Sequence, residues 1–166
     1  MNDMKYIISV LVENKPGVLT RVSGLFSGRG FNIESLSVAE TIDPTVSRVT
    51  LVTHGNEQIL EQITKQLNKL IDTIKVIDFG EGKDYVAREM ALIKVNVNYE
   101  TRSELLSMLE IFRGKVVDVS IDSYTVEITG DENKIKAVLD LFKPLGIKEI
   151  ARTGKAALLR GSKNKR

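Results

Sequence analysis

The sequence YIISVLVENKPGVLTRVSGLF, residues 6–26, joins an apolar strand to an amphipathic helix through a Pro-Gly turn. Residues 6–12 are a short apolar run typical of a buried strand. After Pro16, apolar residues follow helical spacing at Val18, Leu19, Val22, Leu25 and Phe26. If Pro16 takes the first helical position, which its fixed φ favours, the N–H groups of Gly17 and Val18 are free donors at the helix N-terminus. Such a turn often holds a small anion, although many helices simply begin this way.

The rest of the chain predicts one order of elements, repeated. FNIESLSVAE and SRVTLVTH are β-rich runs joined at Asp43-Pro44, a dipeptide that suits a turn. A second helix after Gly55-Asn56 and the strand TIKVIDF complete β-α-β-β-α-β within about 80 residues. Beyond the glycine-rich run FGEGKDY, the same order recurs from MALIKVNV to IKEIAR. We therefore expect an α+β fold of two ferredoxin-like domains in tandem.

The expected domain boundaries follow from these patterns. Residues 1–80 form the first domain, residues 81–86 a linker, and residues 87–154 the second domain. Residues 155–166 contain five basic side chains and no acidic one. Because charge runs at chain ends are usually solvated, we expect this segment to be a disordered tail.

Composition excludes several functional classes. A net charge of +2, from 24 basic and 22 acidic residues among 166, argues against a dedicated nucleic-acid binder. The absence of cysteine excludes disulfides, thiolate zinc sites and cysteine nucleophiles. His54 is the only histidine, and we interpret it as a strand-end residue near solvent. The first residues lack the pattern of a signal peptide and no apolar run reaches membrane-spanning length, so we expect neither a signal peptide nor a membrane span. We expect a cytoplasmic protein with no catalytic residues and no metal site.

The opening turn has the chemistry that a free amino acid requires. The helix N-terminus supplies donors for a carboxylate, and Gly17 lets a ligand approach because it has no Cβ. Asn14 offers a carbonyl oxygen to an ammonium group and an amide to a carboxylate. The alternative is structural: Asn14 caps the helix and Gly17 only forms the turn.

NKPGVLTRVSGLFSGRGFNIESLSV and EIFRGKVVDVS carry a resemblance to a known family. They resemble the regulatory (small) subunits of acetohydroxyacid synthase, also called acetolactate synthase, whose N-terminal domain is an ACT domain. The resemblance covers nearly the whole chain. It implies that a separate catalytic subunit carries thiamine diphosphate, FAD and magnesium and condenses two pyruvates to acetolactate, and that this chain holds no cofactor. It also implies that this subunit raises that activity and confers feedback inhibition by valine.

The resemblance further implies where valine binds. The family's ligand positions match Asn14 and Gly17 in the turn and Asn32 after the helix. The subunit forms a homodimer through the ACT domain, and Asn32 comes from the neighbouring chain. Val18 and Ile33, together with Leu11 and Leu19, would line an apolar slot for the isopropyl group, although each of these four also fits a plain core position.

Apolar residues on both faces of the first strand agree with a dimer. Ile7 and Leu11 alternate with Ile8, Val10 and Val12, so both faces or an edge of this strand need cover, which a second copy would supply. The alternative function is a stand-alone amino-acid sensor or an RNA-binding ferredoxin-like protein. RGFNIESL partly echoes an RNA-recognition signature, but its later aromatic positions are Ile33 and Ser35, so the basic tail alone supports RNA binding.

Overall fold

A computed structural model describes residues 4–80 and 82–161 of the chain, which divide into two units. The first unit takes the described residues among 1–87 and 154–166, and the second unit takes residues 88–153. Each unit contains the element order β-α-β-β-α-β. The predicted α+β fold of two ferredoxin-like domains in tandem is therefore confirmed.

The first unit is built on a four-stranded antiparallel sheet with the order β2-β3-β1-β4. Its elements are β1 (Met4–Glu13), α1 (Val18–Ser27), β2 (Ile33–Glu40), β3 (Val46–Gly55), α2 (Glu57–Lys69) and β4 (Thr73–Asp78). The apolar strand β1 occupies a central position, where both of its edges are paired and its middle residues are buried on both faces. β2 lies at one edge of the sheet.

One face of this sheet packs against α1 and α2. The apolar spacing predicted for the first helix is confirmed at Val22, Leu25 and Phe26, which are buried. Leu19 differs, because 44% of it is exposed on the solvent side of α1. Other members of this core are Ile8, Val10, Val12, Val49, Leu51, Ile63 and Leu67. The helices thus follow the 3.6-residue period that the sequence shows.

The opposite face of the first sheet is covered by the chain's own later segments. Ile7 and Val52 pack in a buried cluster with Phe79 and Ala157. The expectation that Ile7 needs a second copy to cover it is therefore wrong, because residues far along the same chain bury it. β1 is also not an edge strand.

The second unit repeats the architecture with a sheet of order β6-β7-β5-β8. Its elements are β5 (Tyr85–Asn96), whose first three residues belong to the first unit, α3 (Arg102–Phe112), β6 (Lys115–Val119), β7 (Ser123–Gly130), α4 (Glu132–Phe142), a 3₁₀ turn (Lys143–Leu145) and β8 (Ile147–Arg152). Asp131 caps α4, since its side chain accepts a hydrogen bond from the Lys134 N–H at 2.9 Å. The core contains Ile93, Leu105, Val126, Ile128, Ile135 and Phe142.

The end of the chain differs from the expected disordered tail. Ala156–Leu159 form β9, which pairs with β5. Ala157 is 3% exposed, so its buried side chain anchors this strand. The basic residues on either side of it led to the expectation of a solvated tail. The segment from Gly154 belongs to the first unit, and Tyr85 of the expected linker already lies in β5. Residues 162–166 of the expected tail lie outside the described residues.

None of the helices in the described part of the chain is long and apolar enough to cross a membrane.

Candidate functional site

The Pro-Gly turn before α1 is a type II turn rather than the first turn of the helix. Gly17 has φ +85° and ψ −10°, the conformation of the third residue of such a turn, and Pro16 occupies the second position. The Val18 N–H donates to the Lys15 carbonyl at 3.4 Å, which closes the turn weakly. The helix therefore begins at Val18, two residues after Pro16, instead of at Pro16 as expected.

The N-terminus of α1 has no side-chain cap and no acidic residue in its first turn. The Gly17 carbonyl accepts the Arg21 N–H at 3.0 Å, which is the first helical hydrogen bond. Within residues 4–80 and 82–161, the structure gives the N–H groups of Leu19 and Thr20 no acceptor. The Val18 N–H, expected to be a free donor, is used by the turn, and the free donors of the helix itself are Leu19 and Thr20, which lie at the positive end of the helix dipole.

Asn14 does not cap α1, because its side chain is bound to the hairpin between β2 and β3. Its Nδ2 donates to Glu40 Oε1 at 3.0 Å and to the Pro44 carbonyl at 2.9 Å. Its backbone N–H donates to the Thr45 carbonyl at 2.7 Å. Both amide protons are therefore used within the chain, whereas Oδ1 receives no donor from the described residues. Of the two roles expected for Asn14, only acceptance from an ammonium group remains available in this conformation.

Arg21 and Asp72 belong to this turn, and the sequence pattern did not reveal them. Arg21 Nε donates to Asp72 Oδ2 at 2.7 Å, and the Asp72 side chain is 9% exposed. A Cβ built on Gly17 would lie 3.1 Å from Arg21 Nη1, so the guanidinium lies directly beside the glycine. The i, i+4 spacing of Gly17 and Arg21 could have indicated this contact. Asp72 is 51 residues from Arg21, and no local signal indicates their pairing.

The charged side chains around the turn pair with residues close to them in sequence. Lys15 Nζ lies 2.6 Å from Glu13 Oε2, and this hydrogen bond raises the pKa of Lys15 above its ordinary value. In the neighbouring hairpin, Asp43 Oδ1 accepts from the hydroxyl and the N–H of Thr45, which lowers the pKa of Asp43. Because Lys15 and Asp43 each have a partner, neither charge dominates the electrostatics of the turn. Such a surface suits a ligand that carries both a positive and a negative charge.

Val18 and Ile33, both expected at the ligand, contribute to the core. Val18 is 4% exposed within the core of the first unit, and Ile33 is half-buried against the same core while it pairs with Thr53. Both side chains therefore occupy ordinary core positions, which is the alternative that the sequence left open. It places Val18 next to the turn but Ile33 at the start of β2.

Asn32 lies at the opposite end of β2 from Asn14. It is exposed, and its carbonyl accepts from Thr53 Oγ1 at 2.7 Å. Glu40, which binds Asn14, ends β2, and Ile33 begins it, so about 23 Å separates the two ends at ~3.3 Å per residue. One chain therefore does not bring Asn14 and Asn32 to a common ligand.

His54 lies near the Asn32 end of this sheet. Its Nδ1 is 3.2 Å from Glu34 Oε2, and 42% of its side chain is exposed. The interpretation of His54 as a residue near solvent at a strand end is confirmed.

Comparisons with known proteins identify the family. Residues 8–75 match the family described as the AHAS small subunit-like ACT domain, and residues 88–161 match the small subunit of acetolactate synthase. The chain is 54% identical over 160 residues to a probable acetolactate synthase small subunit of Archaeoglobus fulgidus, covering 96% of this chain and 99% of that one. The chain belongs to the acetolactate synthase small-subunit family.

Two further members of the acetolactate synthase small-subunit family match this chain over most of their length, one in sequence and one in structure. The small subunit of Aquifex aeolicus is 54% identical over 157 residues, which are 94% of this chain and 81% of that one. The crystal structure of the small subunit from Thermotoga maritima matches with a TM-score of 0.88 at 42% identity, covering 95% of this chain and 98% of that chain. The resemblance to this family that the sequence motifs indicated is confirmed. An ACT domain in a small subunit of this family implies a regulatory role.

Proposed function

We propose that this chain is the regulatory subunit of a cytoplasmic acetolactate synthase, that it raises the activity of a catalytic large subunit, and that it confers feedback inhibition by valine. The catalytic subunit would hold thiamine diphosphate, magnesium and FAD and condense two pyruvates to acetolactate, or pyruvate with 2-oxobutyrate. This chain would hold no cofactor. Membership in a family of small subunits supports a catalytic large subunit as the partner. The chemistry of the turn before α1 supports an amino acid as the effector.

The observation that carries the proposal is the uncapped N-terminus of α1 at Val18, together with the free Oδ1 of Asn14 four residues earlier in the chain. The N–H groups of Leu19 and Thr20 would receive the carboxylate of an amino acid, helped by the helix dipole. Asn14 Oδ1 would accept from the ammonium group. Gly17 adds no side chain over this surface, and its positive φ holds the turn in place.

A homodimer through β2 would complete this site. β2 lies at the edge of its sheet, so a second copy can add its own β2 there. In an antiparallel, two-fold pairing, the start of one β2 lies beside the end of the other. Asn32 of the second copy would then lie near Asn14 of the first, whereas within one chain these residues are at opposite ends of β2, and those ends are about 23 Å apart.

Valine would regulate the enzyme by favouring one state of the complex. Such coupling between sites is typically about 1–3 kcal/mol and is reciprocal, so the catalytic subunit would change the valine affinity by the same factor. The second unit would contact the catalytic subunit as well.

The experiment that tests this proposal is calorimetric titration of the full chain with valine, with lysine as a control ligand. We expect saturable binding of valine, lost in Asn14→Ala and in Asn32→Ala. Asn133→Ala is the matched control, because Asn133 lies in α4 and belongs to the second unit.

Mixed dimers make the test of a shared site sharper. In a dimer of one Asn14→Ala chain and one Asn32→Ala chain, one site carries both changes and the other carries neither. We expect such dimers to bind valine at half of the wild-type number of sites with wild-type affinity. If mixed dimers bind no valine, each site is built from a single chain and the proposed geometry is refuted. If the unaltered chain binds no valine even with the catalytic subunit present, the valine proposal itself is refuted.

A further inference from the structure

Two almost fully exposed isoleucines lie at the same end of the first unit as the candidate turn. Ile42 is at the tip of the hairpin between β2 and β3, and Ile71 is in the turn between α2 and β4. Their exposures are 105% and 93%, the highest among the large apolar residues of the first unit's described part. Because an exposed isoleucine gains by burial, a pair on neighbouring loops is a natural contact surface.

The hairpin that carries Ile42 is hydrogen-bonded to the candidate turn. Asn14 binds it three times, through the Thr45 carbonyl, the Pro44 carbonyl and Glu40 Oε1. Asp43 stiffens the tip by accepting from the Thr45 N–H at 2.9 Å and the Thr45 hydroxyl at 2.7 Å. Ile42 is therefore presented on a pre-organised loop, which lowers the entropy cost of binding.

The turn that carries Ile71 is tied to the same site from the other side. The Thr73 N–H donates to the Leu70 carbonyl at 3.0 Å, which closes a turn around Ile71 and Asp72. The Asp72 carbonyl accepts from the Glu13 N–H at 2.9 Å, and its carboxylate holds Arg21 beside Gly17. A ligand that shifts the turn would therefore move both isoleucine loops.

The position of Ile71 excludes a second copy at β2 as the partner that covers both loops. Ile71 precedes β4, which is separated from β2 by β3 and β1, or by about 14 Å at ~4.8 Å per strand. A sheet extended at β2 grows away from this side. One larger partner can cover both loops, since a standard interface of about 800 Å² per side spans more than this distance.

We infer that Ile42 and Ile71 form a docking surface for the catalytic subunit, through which occupancy of the amino-acid turn is transmitted. The inference rests on the proposed function, because it takes the catalytic subunit as the partner and the turn as the effector site. The catalytic subunit is the expected partner because this chain belongs to a family of small subunits.

The test uses the full chain with Ile42→Ser and Ile71→Ser combined. Ile121→Ser is the matched control, because Ile121 is 96% exposed and lies between β6 and β7, the equivalent hairpin of the second unit. Affinity for the purified catalytic subunit is measured by biolayer interferometry, valine affinity by calorimetry, and oligomeric state by light scattering. We expect the double variant to lose about 30-fold or more in affinity for the catalytic subunit, the scale of an interface hot spot. Valine affinity and oligomeric state stay unchanged, and Ile121→Ser binds like the wild type.

Other results overturn the inference in distinguishable ways. Equal affinity of the double variant and the wild type for the catalytic subunit refutes the docking surface alone. A change in oligomeric state with unchanged partner affinity assigns the isoleucines to a contact between copies and also refutes it. If the unaltered chain does not bind the catalytic subunit, the proposed function and the docking surface fail together.

Discussion

Arg21 Nε donates to Asp72 Oδ2 across 2.7 Å, which joins the first turn of α1 to the turn before β4. Asp72 is nearly buried, with 9% of its side chain exposed, whereas 46% of the Arg21 side chain is exposed. The carboxylate is thus fixed by its surroundings, and it fixes the guanidinium beside Gly17. The candidate effector turn is held by a residue that lies 51 positions away from Arg21 in sequence.

We expect Asp72→Ala to lower the free energy of unfolding by about 1–2 kcal/mol, because it removes a charge-assisted hydrogen bond with one nearly buried partner. Urea unfolding followed by circular dichroism measures the change. Glu61→Ala is the control, since it breaks a 2.7 Å pair with Lys65 in which both side chains are exposed, and we expect no measurable loss. Equal losses in the two variants would mean that burial of Asp72 contributes nothing.

Substitution by alanine should change stability in opposite directions at Gly17, just before α1, and at Gly24, inside it. Gly17 has φ +85°, so Gly17→Ala places a Cβ in the left-handed region and within 3.1 Å of Arg21 Nη1. We expect a loss of stability of about 1 kcal/mol or more. Gly24 lies inside α1, and a Cβ added there would meet no atom within 4 Å outside the helix's own backbone. Gly24→Ala should therefore stabilise the protein by about 0.5–1 kcal/mol. Thermal unfolding of the two variants decides, and a stabilising Gly17→Ala would contradict the type II turn.

Local patterns in the sequence were enough to predict the two β-α-β-β-α-β repeats. Val22, Leu25 and Phe26 are buried as their spacing indicates, and the repeated β-α-β-β-α-β order appears in both units. Hydrophobic periodicity reports which face of an element is buried, and this depends only on neighbouring residues.

The contacts that build the site depend on the fold and could not be predicted. Asn14 meets Glu40 and Pro44 only because the strand register brings them together, and this occupies the amide that we expected to be free. β9 was missed because four residues give too short a pattern between basic side chains. The cover that Ala157 supplies to Ile7 is likewise a long-range contact.

Asp78 should make stability depend on acidic pH. Lys83 Nζ lies 2.6 Å from Asp78 Oδ2, and this hydrogen bond is the main reason why the pKa of Asp78 is lowered. A lowered pKa contributes stability that is complete above the ordinary value, about 3.9, and is lost as the pH falls through the lower folded value. The unfolding midpoint of Asp78→Asn should thus lie below that of the wild type at pH 7, and the difference should shrink below about pH 4.

Lys83→Met is the control for this titration. It removes the ammonium partner, so the pKa of Asp78 should rise toward its ordinary value and the acid-dependent difference should become smaller. A gap between wild type and Asp78→Asn that stays constant from about pH 7 to about pH 3 would show that the pair does not stabilise the folded state.

Adjacent alanines of β9 test whether the end of the chain is part of the first unit. Ala157 is 3% exposed and packs with Ile7, Val52 and Phe79, whereas Ala156 is exposed. Ala157→Asp places a carboxylate among apolar side chains, and we expect it to cost at least about 2 kcal/mol. Ala156→Asp should change stability little, because its side chain remains in water. Hydrogen exchange at the β1 amides measures the effect locally, and faster exchange should appear only in Ala157→Asp. Equal exchange in the two variants would mean that β9 does not cover the sheet and that the chain ends as a loose tail.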